Sequence, residues 1–137
     1  MATKRIEART RIKQHIKERG KDGIEVTPTF VLYWWHLLNH AIFGGILTPP
    51  KKIHCRNFRD NCFGWCNLLS GHAVELGIRR ELTDRKLFIT VLVHEMVHQH
   101  EWEINHDIPR HGKSFLTWAP LIKRTLNLPL SQFIDDE

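Results

Sequence analysis

Two long apolar blocks dominate the chain, with short alternating segments between them and a thinner stripe ahead of both. From Pro28 to about Phe43, Phe30, Val31, Trp34, Leu37, Leu38, Ala41 and Ile42 recur at steps of three and four, the period of a helix with one face on a core. Thr27 offers an N-cap, Pro28 suits the first helical position, and Gly44-Gly45 supplies a stop. From Leu87 to Val97 the residues are apolar on nearly every side, which predicts a helix buried all round, with Thr83 as its cap and Asp84 in its first turn. A last helix should begin near Gly112 or Lys113, turn Phe115, Trp118, Leu121, Ile122 and Leu126 inward, and take Pro120 as a kink or early turn. Residues 3–19 favour a helix whose Ile6, Ile12 and Ile16 make only a thin docking face, closed by Gly20 and a Lys21-Asp22-Gly23 turn.

Between the two blocks the period changes. Thr48-Pro49-Pro50 is a stiff extended link, and three strand-like pieces follow at 51–56, 63–68 and 73–79, separated by the turn residues Asn57, Arg59, Asp60 and Asn61 and by Ser70-Gly71. Their spacing predicts a small antiparallel sheet, one edge of which could hold an extended peptide. Gly64 marks a bulge or a close approach. The expected architecture is α+β: a single domain at 27–130 with helices packed around the sheet, a basic helical arm at 1–26 and a short acidic tail at 131–137.

Composition narrows the class. At 137 residues and 42% hydrophobic the chain suits one globular domain, and no run of 18 apolar residues could span a bilayer. The first residues carry charge with no apolar core behind it, so an intracellular location is expected. The net charge of +5 belongs to residues 1–22, which hold eight Lys or Arg against three acids, whereas the rest of the chain is balanced at twelve against twelve. A segment of this kind could bind phosphates or an acidic protein surface, or simply be a solvated helix face. Cys55, Cys62 and Cys66 lack the paired C-x2-C spacing of a zinc ribbon and read as reduced strand residues.

The candidate chemistry sits inside the second apolar block, at His94-Glu95-Met96-Val97-His98. Residues four apart on a helix differ by about 40° in azimuth and about 6 Å in height, so His94 and His98 share a face and can share a metal. Glu95 lies about 100° round from His94, placed as a general base for water on that metal rather than as a ligand in the same row. In such apolar surroundings two histidines and a carboxylate need partners, and zinc is an efficient one. His36 and His40 are also four apart, but with no acid beside them they read as surface or core histidines.

A catalytic zinc usually takes three protein ligands. The H-E-x-x-H-x-x-G-x-x-H form would need glycine at 101 and histidine at 104, where the chain has Glu101 and Ile104. A glutamate ligand well downstream is disfavoured because the only acids after Asp107 are Asp135, Asp136 and Glu137. A histidine beyond the helix remains, His106 or His111. Arg110 and His106 are also candidates to stabilise an oxyanion, and His100 falls on another helix face.

With His111-Gly112 opening the last helix ahead of Phe115, the 39–47 stretch Asn-His-Ala-Ile-Phe-Gly-Gly-Ile-Leu, and the Gly64-Trp65-Cys66 strand, the sequence resembles the SprT-like zinc metallopeptidases, the family that includes Spartan-type proteases. The resemblance spans roughly residues 28–127. It implies a zincin-like fold, His94, His98 and His111 as zinc ligands, Glu95 as the base, and hydrolysis of peptide bonds in protein or peptide substrates, including DNA-associated proteins. No Cys-rich zinc ribbon follows the catalytic region, so any DNA contact is expected through the basic residues 4–21. The rival expectation is a module in which zinc only pins the fold and the basic arm binds nucleic acid or protein without catalysis; Glu95 would then have no purpose.

Overall fold

The computed structural model describes residues 2–59 and 62–130, so the acidic tail expected at 131–137 lies outside the described residues. Four helices and three strands follow in the order α1 (Ala2–Arg19), α2 (Pro28–Phe43), β1 (Lys52–Arg56), β2 (Gly64–Leu68), β3 (Val74–Arg79), α3 (Arg85–Glu103) and α4 (Lys113–Leu126). The architecture is α+β with a mixed sheet.

The ends of α2 follow their local chemistry. Phe30 N–H donates to Thr27 Oγ1 at 3.1 Å, Pro28 occupies the first turn, and Gly44 at φ 70 reverses the chain while its N–H reaches Asn39 O. The α3 cap is Asp84, not Thr83: its Oδ1 accepts from Leu87 N–H at 3.0 Å, because Asp84 is the residue three before that unpaired donor. Pro120 sits inside a continuous α4, where the carbonyl it cannot pair with belongs to Leu116, a residue exposed to water.

The sheet corrects the antiparallel expectation. Strand order is β1-β3-β2, with β2 antiparallel to β3 and β1 parallel to it, Lys52 to Arg56 facing Glu75 to Arg79 in register. The link from β2 to β3 is a single 3₁₀ turn at Ser70–His72, closed by Leu69 N–H on Ala73 O at 2.9 Å, which favours a hairpin. The longer connection after β1 carries the chain past the place that β3 then fills. Arg79 fastens the far end, its Nη1 donating to Cys62 O at 2.7 Å and its backbone N–H to Phe63 O at 2.8 Å.

Helix α3 packs against β2, β3, α2 and α4, and every residue from Phe88 to Gln99 is buried. Around it lie Trp34, Trp35 and Leu38 from α2, Leu76 and Ile78 from β3 and Ile122 from α4. Helix α1 docks on α2 despite its thin stripe. Ala8 and Ile12 are buried, Ile6 is exposed, His15 meets Trp34 edge-on with centroids 4.8 Å apart, and Arg9 Nε donates to Ala41 O at 2.7 Å. Among the described residues, no helix is long and apolar enough to cross a membrane.

Candidate metal centre

His94, Glu95 and His98 all lie on the buried middle of α3, and each is 2% exposed or less. The third histidine arrives from the loop ahead of α4. His111 Nε2 lies 3.0 Å from His94 Nε2 and 3.2 Å from His98 Nε2, and the three ligand atoms fall within 4.8 Å of one another. His111 is the most solvent-accessible of the three, so it closes the group from outside. Phe115, one turn into α4, rests its ring against all three imidazoles, with centroids 4.8 Å from His94, 5.6 Å from His98 and 4.8 Å from His111.

The protonation pattern bears on what the cluster can hold. His98 Nδ1–H donates to the buried Glu101 Oε1 at 2.8 Å, which leaves the lone pair of Nε2 directed at the other two rings. Burial, and then the neighbouring His98 and His111 rings, push the His94 imidazolium down to about 3, so that ring is neutral near pH 7. Three convergent imidazole nitrogens, one of them on a ring that stays neutral near pH 7, suit a metal cation.

A metal fits. Two imidazole nitrogens at about 2.0–2.1 Å from a tetrahedral zinc stand about 3.3 Å apart, close to the separations observed here. Among the described residues this is the one group of three or more His, Cys, Asp or Glu placed to hold an ion.

A model of the SprT-like family matches residues 32–133. The chain belongs to the SprT-like family. The matched region of this SprT-like chain runs from within α2 past α4 and contains the whole histidine cluster, while α1 precedes it. No curated protein matches the chain at a significant level.

Of the two downstream histidines left open by spacing, His111 joins the cluster and His106 does not. His106, at φ 55, stacks instead on His72 with centroids 4.0 Å apart. The Arg110 guanidinium is taken up locally, 3.8 Å from Asp107 Oδ1 and 3.4 Å from Ile108 O. His100 wedges between Phe43 and Trp118, where burial lowers its pKa. The cysteines form no disulfide: Cys55 and Cys66 lie on β1 and β2, Cys62 lies in the loop ahead of β2 and donates to Gly64 O, and burial raises the Cys55 thiol to about 11.

Glu101 is the residue that spacing arguments passed over. Its signal was present, a carboxylate three positions after His98 on one helix face inside an apolar block. Gln99 is the second. It accepts from Trp35 Nε1 at 3.0 Å and donates to Thr48 O at 2.7 Å, tying α3 to α2 and to the extended link. Gly64 is the third point of precision, since a Cβ there would stand 2.9 Å from Val91 Cγ1, 3.0 Å from Gly77 O and 3.4 Å from Glu95 Cγ. Only glycine lets the start of β2 lie this close to the stem of Glu95.

Proposed function

We propose that this SprT-like domain is a zincin-like, zinc-dependent metallopeptidase, with zinc held by His94, His98 and His111 and with Glu95 as the general base. One observation carries the reading: three imidazole nitrogens converge, and Glu95, a buried carboxylate, follows the first of them directly on α3. When bound, zinc supplies the Lewis acidity that brings the pKa of water towards about 7 and polarises a carbonyl. Glu95 takes the proton from the attacking water as oxygen bonds to the carbonyl carbon. It returns that proton to the nitrogen as the C–N bond breaks, so acid and amine leave together.

The surroundings suit an extended peptide. Among the described residues strand β2 pairs on one side only, and Gly64 at its head lies against the stem of Glu95, so an edge that could take an extended peptide begins next to that residue. A cavity of about 210 Å³ adjoins His98, lined by Cys66 and Leu68 of β2 and by Ile108 and Pro109 of the following loop. Its lining is mostly apolar, with His98 as a polar member, and it offers room for a substrate side chain.

Exchange of Glu95 for Gln separates base from ligands. The variant should keep its zinc and lose cleavage of an unfolded protein substrate by about 100-fold or more. Cleavage at the wild-type rate would remove Glu95 from the mechanism.

A further inference from the structure

The cavity beside His98 has two walls, and each is fixed from outside the cavity. One wall is strand β2. Residues two apart on a strand face the same way, so Gly64, Cys66 and Leu68 share the face turned towards α3. Strand and helix run side by side in the same direction. A Cβ at Gly64 would stand 3.4 Å from Glu95 Cγ, Cys66 and Leu68 line the cavity with His98, and Leu69 O accepts from Trp102 Nε1 at 3.2 Å.

The other wall is the loop between α3 and α4, which contributes Ile108 and Pro109. Asp107 N–H donates to the carbonyl of Glu101 at 2.9 Å, on the same residue whose carboxylate accepts from His98. One position earlier, His106 lies flat on His72 with centroids 4.0 Å and planes 14° apart, and His72 in turn meets Trp102 at 4.9 Å. Both histidines hold a positive φ, 59 at His72 and 55 at His106, which is uncommon for a residue with a side chain and here brings the two rings together. Walls held on both sides keep their shape without a ligand, and a pocket formed in advance discriminates by fit.

Inside, the cavity rewards apolar surface and little else. Both His98 ring nitrogens are committed, Nδ1 to Glu101 Oε1 and Nε2 towards His111, and a thiol such as that of Cys66 is a weak hydrogen-bonding group. A charged or amide side chain would give up water there and gain no comparable partner. An aliphatic one would shed water from itself and from Ile108, which is 61% exposed. At about 210 Å³ the cavity is smaller than the roughly 300 Å³ at which pockets for whole small molecules begin, so it suits one side chain. Cys66 makes the room, since a leucine at that position would fill it.

We propose that this pocket selects a leucine-sized aliphatic side chain next to the scissile bond, and that Cys66 and Ile108 set the preference. The substrate class is then extended polypeptide bearing such residues. The inference rests on the metallopeptidase reading, which puts the scissile carbonyl at the histidine cluster. Successive residues of an extended chain are about 3.3 Å apart, so a cavity walled by His98 itself takes the side chain of a residue flanking that carbonyl.

The test uses peptides of about 12 residues in a Gly-Ser background, each with one central Leu, Ala, Lys or Asp, incubated with the zinc-reconstituted full chain. Wild type should cut the Leu peptide at a bond adjoining Leu, as mapped by mass spectrometry, with kcat/KM about 10-fold or more above the other three. Cys66→Leu, which fills the cavity from the strand, and Ile108→Ala, which removes its exposed wall, should each lower the Leu-to-Ala ratio about 5-fold or more. Ile108 lies on a surface loop, so its variant reports even where Cys66→Leu fails to fold. Glu95→Gln gives a readout without turnover: by fluorescence anisotropy it should bind the labelled Leu peptide about 10-fold more tightly than the Ala peptide, and adding Ile108→Ala should remove the difference.

Equal cleavage of all four peptides, a preference for Lys or Asp, or a Leu preference that both variants leave intact overturns the pocket while the metallopeptidase reading stands. No cleavage by wild type beside intact Leu-selective binding in Glu95→Gln overturns the metallopeptidase reading while the pocket stands. Neither cleavage nor selective binding overturns both.

Discussion

His98 Nδ1 and Glu101 Oε1 stand 2.8 Å apart with both side chains all but excluded from water. A hydrogen bond of this kind sets the tautomer and the aim of a metal-binding imidazole. Glu101→Ala should therefore weaken zinc binding about 10- to 100-fold, measured by competition with a chromophoric chelator. Glu101→Gln, which keeps an accepting oxygen, should fall between the two. Equal affinity in wild type and Glu101→Ala would show that the carboxylate does not orient the ring.

The cluster should also make the metal-free protein sensitive to acid. Burial and the two neighbouring rings hold the folded His94 imidazolium at about 3, against 6.5 in the unfolded chain. The unfolded state thus binds more protons in between, so the contribution of this ring is fully present above about 6.5 and is lost as pH falls towards 3. At pH 5 the loss from His94 alone is about 2 kcal/mol. Urea denaturation of the stripped protein at about pH 8 and pH 5 should show it, and His94→Gln should flatten the difference. An unchanged pH dependence in that variant would place the sensitivity elsewhere.

Gln99 joins three segments through buried contacts, to Trp35 Nε1 at 3.0 Å and Thr48 O at 2.7 Å. Gln99→Leu fills similar space but strands an indole N–H and a carbonyl. The expected loss is about 1–3 kcal/mol, read from the shift in denaturation midpoint. Trp35→Phe in the Gln99→Leu background should restore part of it, and no recovery would mean that the indole donor is not what suffers.

At Gly64 an added methyl would meet Val91 Cγ1 at 2.9 Å and Gly77 O at 3.0 Å. Gly64→Ala must push β2 away from α3, at a cost of about 1–3 kcal/mol. Because Glu95 Cγ is the third contact, cleavage should fall further than the fraction folded explains. Activity that tracks the folded fraction alone would separate Gly64 from the site.

Boundaries were legible where single residues decide them. Thr27-Pro28 and Gly44 mark α2 in the sequence as they do in the fold, because cap and reversal are local chemistry. Strand positions were legible to within a residue, but not their neighbours: alternation says which residues form a strand, while the parallel pairing of β1 with β3 depends on how the connections pack. The docking of α1 was hidden for a related reason. Its stripe is thin, and what holds it includes an arginine on a carbonyl and the edge of a histidine ring on Trp34. In the site, His94 and His98 followed from helical spacing alone, whereas the choice of His111 over His106 is made by a loop, with φ 55 at His106 turning that residue onto His72.

The most direct measurement is zinc per chain in purified wild type beside His111→Ala, each after equilibration with limiting chelator. The account expects one zinc per wild-type chain and a large loss in the variant, because His111 is the member that closes the group around the two α3 nitrogens. Wild type without zinc after reconstitution, or His111→Ala holding it as firmly as wild type, would contradict the account.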